Sequence, residues 1–572
     1  MDMRSQIAAL VSKGLAKAYP NADIKAGDIG GMLEIPPEKS MGDFAFPCFK
    51  LSKALRMNPA LIAKTLSETI DDPATARVEC AGGYLNFFFN RENFARQTIE
   101  AVLAKPGKWG ASDEGNGRTV CMDYSSINIA KRFHIGHLST TVIGASLMRI
   151  YRFLGWNAVG INHLGDWGTQ FGKMIAAYKH WGTKEMVEQG GVSALSDLYV
   201  RFHQEAEKNP ALEDEGRAWF KKIEDDDPEA IEIFTFFREM TLKDAKKVYD
   251  ELGVSFDSYA GESFYKDKTG RVVAELEEKG LLKESDGAMI VDLEEDGMPP
   301  CLILKQDGAT LYSTRDLAAA LYRKETYHFD RSLYIVAYQQ SLHFKQIFKV
   351  LELMGYSWAA TELKHVAFGM VSYEGRSLST RQGYVVYLED VLEKAKEKAL
   401  DIIKEKSPNL ENKEDVARQV GVGAVVYSAL QNGRIKDVDF QWDRVLNFDG
   451  ETGPYVQYTY ARCCSVMRKA PEGAAQQTPD YKGLCDDDSQ YLLRLISLFP
   501  EAVRDACDKD EPSIVTRAVT DIAKAYNKFY YENRILDDDP AVAAARLRLT
   551  DITRDVIKTG LYLIGLEAPE RM

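Results

Sequence analysis

The 572-residue chain is short of the features that usually settle a class at once. Its eight cysteines, at 48, 80, 121, 301, 463, 464, 485 and 507, include no Cys-x-x-Cys pair. That removes the common structural zinc motifs, and a disulfide framework is not expected at this length. Reduced thiols and a cytoplasmic location are the expectation. Cys463 and Cys464 lie inside an apolar helical pattern and read as packing residues. No apolar run reaches about 18 residues, so no membrane span is predicted. The start, 1–19, is amphipathic, carries Asp2 and has no unbroken apolar core, so no signal peptide is expected. Positive charge is in deficit, with a net charge of −14. This excludes a basic nucleic-acid coat protein but leaves room for local basic patches. There is no Gly-x-x-x-x-Gly-Lys-Ser/Thr loop and no Gly-x-Gly-x-x-Gly after a strand, so ordinary NTPase and dinucleotide readings lose support. No internal repeat or low-complexity segment is found.

The chain is too long for one core. Residues 1–108 read as a small α+β domain, with helical patterns at 49–57 and 60–70 and strands at 76–80 and 84–89. The 42–47 stretch reads as irregular, and 106–117, rich in glycine and polar residues, as a linker. Residues 118–385 alternate strands and helices, which predicts a Rossmann-like parallel sheet with covered faces. Its strands are expected at 119–124, 156–161, 332–338 and 365–371, with helices at 137–154 and 341–354. An insertion, about 175–305, begins with charged helices and ends in short strands. Its acidic run, Glu224-Asp225-Asp226-Asp227, reads as a solvated face. Residues 386–445 form a helical connector and 446–572 an all-α domain.

Residues 119–144 organise the rest. An apolar strand leads into a polar loop, and His134-Ile135-Gly136-His137 then opens an amphipathic helix that Gly155 closes. Unpaired N–H groups at such a helix start favour an anion. A lone His-x-x-His pair is more often ordinary surface or core, so position carries the argument. Four polar stretches follow predicted strands: 125–137, 162–167, 339–343 and 372–383. In an open parallel sheet, ligands bind outside the carboxyl ends of the strands. A phosphate-bearing ligand is therefore expected there. A metal hydrolase using His134, His137, His163 and Asp166 is a competing reading, but it leaves the later loops idle.

Longer strings carry a family resemblance. His134-Ile135-Gly136-His137 resembles the first signature of class I aminoacyl-tRNA synthetases. Ser125-Ser126-Ile127-Asn128-Ile129-Ala130-Lys131, Leu164-Gly165-Asp166-Trp167-Gly168-Thr169-Gln170-Phe171-Gly172, Tyr312-Ser313-Thr314-Arg315-Asp316-Leu317-Ala318-Ala319, Gly453-Pro454-Tyr455-Val456-Gln457-Tyr458 and the closing Pro569-Glu570-Arg571-Met572 are similar to the arginyl-tRNA synthetases, over nearly the whole chain. The resemblance implies ATP-dependent attachment of L-arginine to tRNA(Arg) through an arginyl-adenylate, with Mg2+ accompanying the nucleotide and no structural zinc. It also implies a cytoplasmic monomer with a tRNA-contacting N-terminal domain and an anticodon-binding C-terminal one, and activation that commonly needs tRNA present. His134 and His137 would contact the ATP phosphates, and Gly136 would leave room for the nucleotide. The arginine pocket would comprise Asp123, Asn128, Tyr312, Asp316 and Gln340. Asp316, one turn after Tyr312, is the foremost guanidinium partner; its competing reading is a helix-capping carboxylate.

Two departures stand out. Ile127 occupies a position that is typically proline in the family. The second class I signature, usually Lys-Met-Ser-Lys, is Ser377-Leu378-Ser379-Thr380 here, so both lysines are missing. Lys131, Arg376 and Arg381 are the candidate replacements, with Ser379 the signature residue facing ATP. The missing lysines keep an alternative open: a catalytically impaired, RNA-binding paralogue. Arg462, Arg468, Lys469, Lys524, Lys528 and Arg534, interleaved with Tyr526, Tyr530 and Tyr531, are candidates for reading an unpaired RNA loop.

Overall fold

The computed structural model describes residues 3–20, 26–36, 38, 41–72, 75–378, 385–448 and 450–572. Its centre is a four-stranded parallel sheet in the order Leu363–His365, Arg331–Tyr334, Thr119–Asp123, Asn157–Ile161. Val120, Cys121 and Met122 are fully buried, as a strand covered on both faces requires. The Leu138–Phe153 helix packs on the sheet after a single 3-10 turn, Ile135–His137. Gly155 ends it at φ 80°, and a Cβ there would lie 2.9 Å from the Asp113 Cα.

The strand expected over 365–371 divides in two. Only Leu363–His365 joins the main sheet. At Gly369 the chain turns away, so close to the Lys436 carbonyl that a Cβ would sit 2.3 Å from it. Val371–Tyr373 then pairs with Arg376–Ser377 as a hairpin, and in parallel with Val438–Phe440. Glu374 and Gly375 form its turn at φ 50° and 74°, the left-handed pair that a tight hairpin prefers. The helical connector therefore contributes a strand that anchors this hairpin.

The insertion comprises the helices Lys184–Lys208, Ala211–Glu224 and Pro228–Leu252, then an antiparallel sheet of Leu282–Ser285, Ala288–Val291 and Cys301–Leu304. Its acidic run is satisfied locally: Asp225 pairs with Lys221, Asp226 with Lys266, and Asp227 caps the following helix.

In the N-terminal domain, the 42–47 stretch is not irregular. Phe44–Pro47 is a fully buried strand beside Tyr84–Phe89, with Thr75–Ala81 on the other side. The alternating Phe-Ala-Phe packs well enough to outweigh the neighbouring glycine and proline. Nor is 106–117 a free linker. Trp109 is buried and donates from Nε1 to the Ile496 carbonyl (2.8 Å), and the Gly107 N–H donates to Asp555. The last third is helical: Gly453–Lys469, Asp487–Lys509, Ser513–Glu532 and Pro540–Leu563. No helix among the described residues is long and apolar enough to cross a membrane.

Candidate active site

The loop after Thr119–Asp123 is held in a strained shape. Ser125, Ser126 and Ala130 have φ of 69°, 38° and 60°, a region that residues with a Cβ seldom adopt. The bonds that hold it come from neighbouring helices. The Ser125 N–H donates to Thr140 Oγ1 (3.0 Å), and the Ala130 N–H to Thr241 Oγ1 (3.0 Å). Ser125 Oγ meets the Tyr249 hydroxyl at 2.8 Å, and Asn162 Nδ2 donates to the same hydroxyl. Asn128 crosses to Gly165 with its Oδ1 where a Gly165 Cβ would fall, 2.3 Å away. A side chain at 165 would therefore push the Asn128 amide out of this position. Ile127 is buried and its carbonyl accepts the Gly165 N–H.

The histidine pair forms a reciprocal cap. The His134 Nδ1 accepts the Gly136 N–H at 3.1 Å, and the His137 Nδ1 accepts the His134 N–H at 3.2 Å. The rings lie 3.8 Å apart. Burial, with Lys131 nearby, lowers the His134 pKa. Burial, then His134, holds His137 down to about 3. Both rings are therefore neutral near pH 7. With Nδ1 accepting, each carries its proton on Nε2, uncommitted to the caps. A Cβ on Gly136 would press on the His134 ring at 2.9 Å, and Leu378 lies just beyond. The hairpin thus brings the second-signature segment beside the first. Segment 133–135 also pairs with 386–388 through the Ile135 N–H to Val386 O and the Leu388 N–H to Phe133 O. Lys131 is exposed at the loop's end, and Arg376 is exposed on the hairpin. Ser379 and Arg381 lie outside the described residues.

The second half of the site forms around Asp316, on the Tyr312–Tyr327 helix. His343 Nε2 meets its Oδ2 at 2.6 Å, and His163 Nε2 lies 3.7 Å from its Oδ1. Burial pushes this carboxyl up, but the hydrogen bond from His343 and the electrostatic influence of His343, His163 and Arg323 outweigh it, so the net shift is downward. Asp316 is ionised, and its partners are side chains of other elements rather than a helix start, which sets aside the capping reading. The ring of Tyr312, which is 58 % exposed, stands 5.0 Å from that of His343. Tyr312 and Asp316 thus meet through His343. Gln340 is exposed at the end of the 3-10 turn Tyr338–Gln340, which leads into the Ser341–Leu353 helix that carries His343.

Asp123 requires a revision. It reads in sequence as a charge with no reason to be in an apolar strand except the substrate. The structure supplies one: Arg323 Nη2 lies 2.8 Å from its Oδ2, and Ser126 Oγ donates to Oδ1. The sequence signals Arg323 only by its spacing: it sits seven residues, or two helical turns, after Asp316 and so on the same face. Asp166 is equally committed: it is fully buried and accepts the Ser263 N–H and hydroxyl at 2.8 and 2.7 Å. With His163 bound to Arg323 at 3.2 Å, the four residues of the hydrolase reading do not converge. Among the described residues, no group of three His, Cys, Asp or Glu could hold a metal.

A family model described as tRNA synthetases class I (R), catalytic domain, matches residues 98–442. The chain belongs to the arginyl-tRNA synthetases. Models of the arginyl-tRNA synthetase N-terminal domain and of the DALR anticodon-binding domain match 5–89 and 456–572. An arginine–tRNA ligase of Clostridioides difficile is 54 % identical over 96 % of this chain and 97 % of its own. One of Halothermothrix orenii is 50 % identical over the full length of both. The solved arginyl-tRNA synthetase of Thermus thermophilus superposes with a TM-score of 0.83, at 26 % identity and complete coverage of both chains. The protein is thus a class I ligase that charges tRNA with arginine and uses ATP. Nothing favours the impaired paralogue.

Proposed function

We propose that arginine is activated as arginyl-adenylate at the carboxyl edge of the four-stranded sheet and then passed to tRNA(Arg) for protein synthesis. The observation that best supports this is the reciprocal cap. It fixes His134 and His137 as neutral Nε2–H donors, suited to the negative charge that builds on phosphate oxygens during adenylation. Adenylate formation asks little covalent work of a protein. It needs in-line positioning of the arginine carboxylate against the α-phosphate, and charge stabilisation as pyrophosphate leaves.

In this assignment Gly136 gives the nucleotide its close approach, and Asp316 receives the guanidinium, with Tyr312 and Gln340 at the rim. Asn128 holds the α-amino end, and Asp123 shapes that end from its fixed place beneath the loop. Mg2+ arrives as the counter-ion of the ATP phosphates, and no side chain is assigned to it. Lys131 supplies the cation that the absent signature lysines would have given, with Arg376 of the hairpin, Ser379 and Arg381 assigned to the same task. The enzyme works as a cytoplasmic monomer built from domains at 1–108, 118–385, 386–445 and 446–572. In ATP–pyrophosphate exchange with tRNA present, Lys131→Ala is expected to lower the rate by about tenfold to about a hundredfold, and Ser377→Ala by far less. Equal rates for wild type and Lys131→Ala remove that role.

The RNA contact is assigned to a cleft of about 470 Å³ lined by Tyr458, Arg462, Arg468, Lys469, Tyr530 and the terminal Met572. Here the Arg462 guanidinium lies 4.9 Å from both the Tyr458 and Tyr530 rings, and both tyrosines are exposed. An unpaired base would stack there. Tyr526 is withdrawn from this role because it is fully buried. Lys524, Lys528 and Arg534 are paired with Glu451, Asp488 and Asp538. They are left as surface ion pairs, and Tyr531 as an exposed neighbour. Arg462→Ala is expected to raise the KM for tRNA in charging by about fivefold to about a hundredfold. An unchanged tRNA KM would take the cleft out of the RNA path.

A further inference from the structure

Arg323 is the largest fully buried side chain among the described residues, with 1 % exposure. A guanidinium is rarely placed so deep without a task, because removing a charge from water costs several kcal/mol unless it is paired and hydrogen-bonded. Its Nη2 serves two acceptors at once, Asp123 Oδ2 at 2.8 Å and His163 Nδ1 at 3.2 Å. Its Nε is buried with no hydrogen-bond partner. Arg323 therefore spans the two ends of the arginine pocket. Asp123 stands at the end of the central strand, beneath the 125–131 loop, and His163 faces Asp316.

The chemistry of each bond is one-directional. Arginine has five donors and no acceptor, so His163 Nδ1 must accept. With Nδ1 accepting, the ring proton of His163 sits on Nε2. That nitrogen is buried, lacks a hydrogen-bond partner, and lies 3.7 Å from Asp316 Oδ1. The charges follow the same order. Asp123 is cancelled by Arg323, and Glu262 by Arg315, whose Nη2 is 3.0 Å away. Among the described residues, Asp316 pairs directly with two imidazoles and with no guanidinium. One carboxylate without a resident guanidinium matches one substrate guanidinium.

We propose that Arg323 is a positioning residue for arginine. It neutralises Asp123 and holds His163 with Nδ1 turned away from Asp316, so that Asp316 alone is offered to the substrate's side chain. The proposal rests on the reading of Asp316 as the guanidinium partner.

The test is arginine-dependent ATP–pyrophosphate exchange by the full chain with tRNA present, and melting temperature measured on each variant. Asp316→Asn is the reference. If it leaves the arginine KM unchanged, the Asp316 reading fails and the proposal with it. If Asp316→Asn raises the KM, Arg323→Met is expected to raise it too, by about tenfold to about a hundredfold, with the ATP KM within about twofold of wild type. Asp123→Asn leaves the Arg323 cation uncompensated beside the incoming cation. It is expected to raise the arginine KM more than the double variant Asp123→Asn/Arg323→Met does. The double variant removes both charges of the buried pair and so is the one most able to fold if Arg323→Met is not. Its arginine KM is expected to stay about tenfold above wild type, because the His163 bond is still lost. An arginine KM within about twofold of wild type in the double variant overturns the proposal. So does an equal rise in the ATP and arginine KM values of Arg323→Met, which would mark a structural role only.

Discussion

Replacing Asp316 by asparagine is expected to raise the KM for arginine by about 10²- to 10³-fold. The side chain keeps its shape and one acceptor oxygen but loses the charge. It also turns an N–H2 group toward a substrate that brings only donors. Two donors facing each other in a buried site leave both unsatisfied, which costs more than the lost attraction alone. The carboxylate is available because His343 and the nearby positive charge hold its pKa below the usual range despite burial. It therefore stays ionised through the neutral range. Arginine must displace, or share, the oxygen that His343 occupies at 2.6 Å. The ATP KM should barely move, since the nucleotide is assigned to the Ile135–His137 turn and not to Asp316. A loss of thermal stability with an unchanged arginine KM would return Asp316 to a packing role.

The second large effect concerns His137. His137→Asn is expected to lower kcat for adenylation by about 10²- to 10³-fold with little change in the arginine KM. Asparagine is the informative substitution. Its Oδ1 stands near the position of Nδ1 and can still accept the His134 N–H, so the cap is kept. What disappears is the Nε2–H donor. If His137 served only as a cap, the variant would keep its rate, and His137→Ala would cost about 1 kcal/mol of stability with a modest kinetic effect. If the donor matters, both variants lose the rate and only the alanine variant also loses stability. Full activity in His137→Asn would contradict the phosphate role.

The parts of this site that could be read in the sequence are those set by local rules. The apolar run at 119–124, the His-x-x-His helix start and the glycine at 155 are each governed by neighbours a few residues away, and each stands within a residue or so of its expected place. What could not be read depends on distant partners. Asp123 and Arg323 are separated by 200 positions, and nothing in either segment announces the other. The hydrophobic pattern over 365–371 is continuous. It cannot reveal that Gly369 meets the Lys436 carbonyl and sends the chain into a second sheet. Phe44–Pro47 is a similar case, since proline and glycine punctuate a segment whose phenylalanines find a buried sheet. Tyr526 looked like its exposed neighbours Tyr530 and Tyr531, but one turn of helix decides which tyrosine enters the core.

The missing signature lysines give the sequence its main ambiguity, and the geometry narrows it. The histidine pair is fully formed, and Leu378 approaches Gly136, so the two signatures still meet. Lys131 stands at the exit of the strained loop, and its charge, after burial, helps to lower the His134 pKa, which supports its assignment as the replacing cation.

The most direct measurement is arginine-dependent ATP–pyrophosphate exchange by the purified full chain, run with arginine-accepting tRNA. The account predicts exchange that requires arginine, is not supported by citrulline (which keeps the shape and lacks the charge), and falls with Lys131→Ala, His137→Asn and Asp316→Asn in the patterns given above. A protein that binds this tRNA yet shows no arginine-dependent exchange in its presence would contradict it.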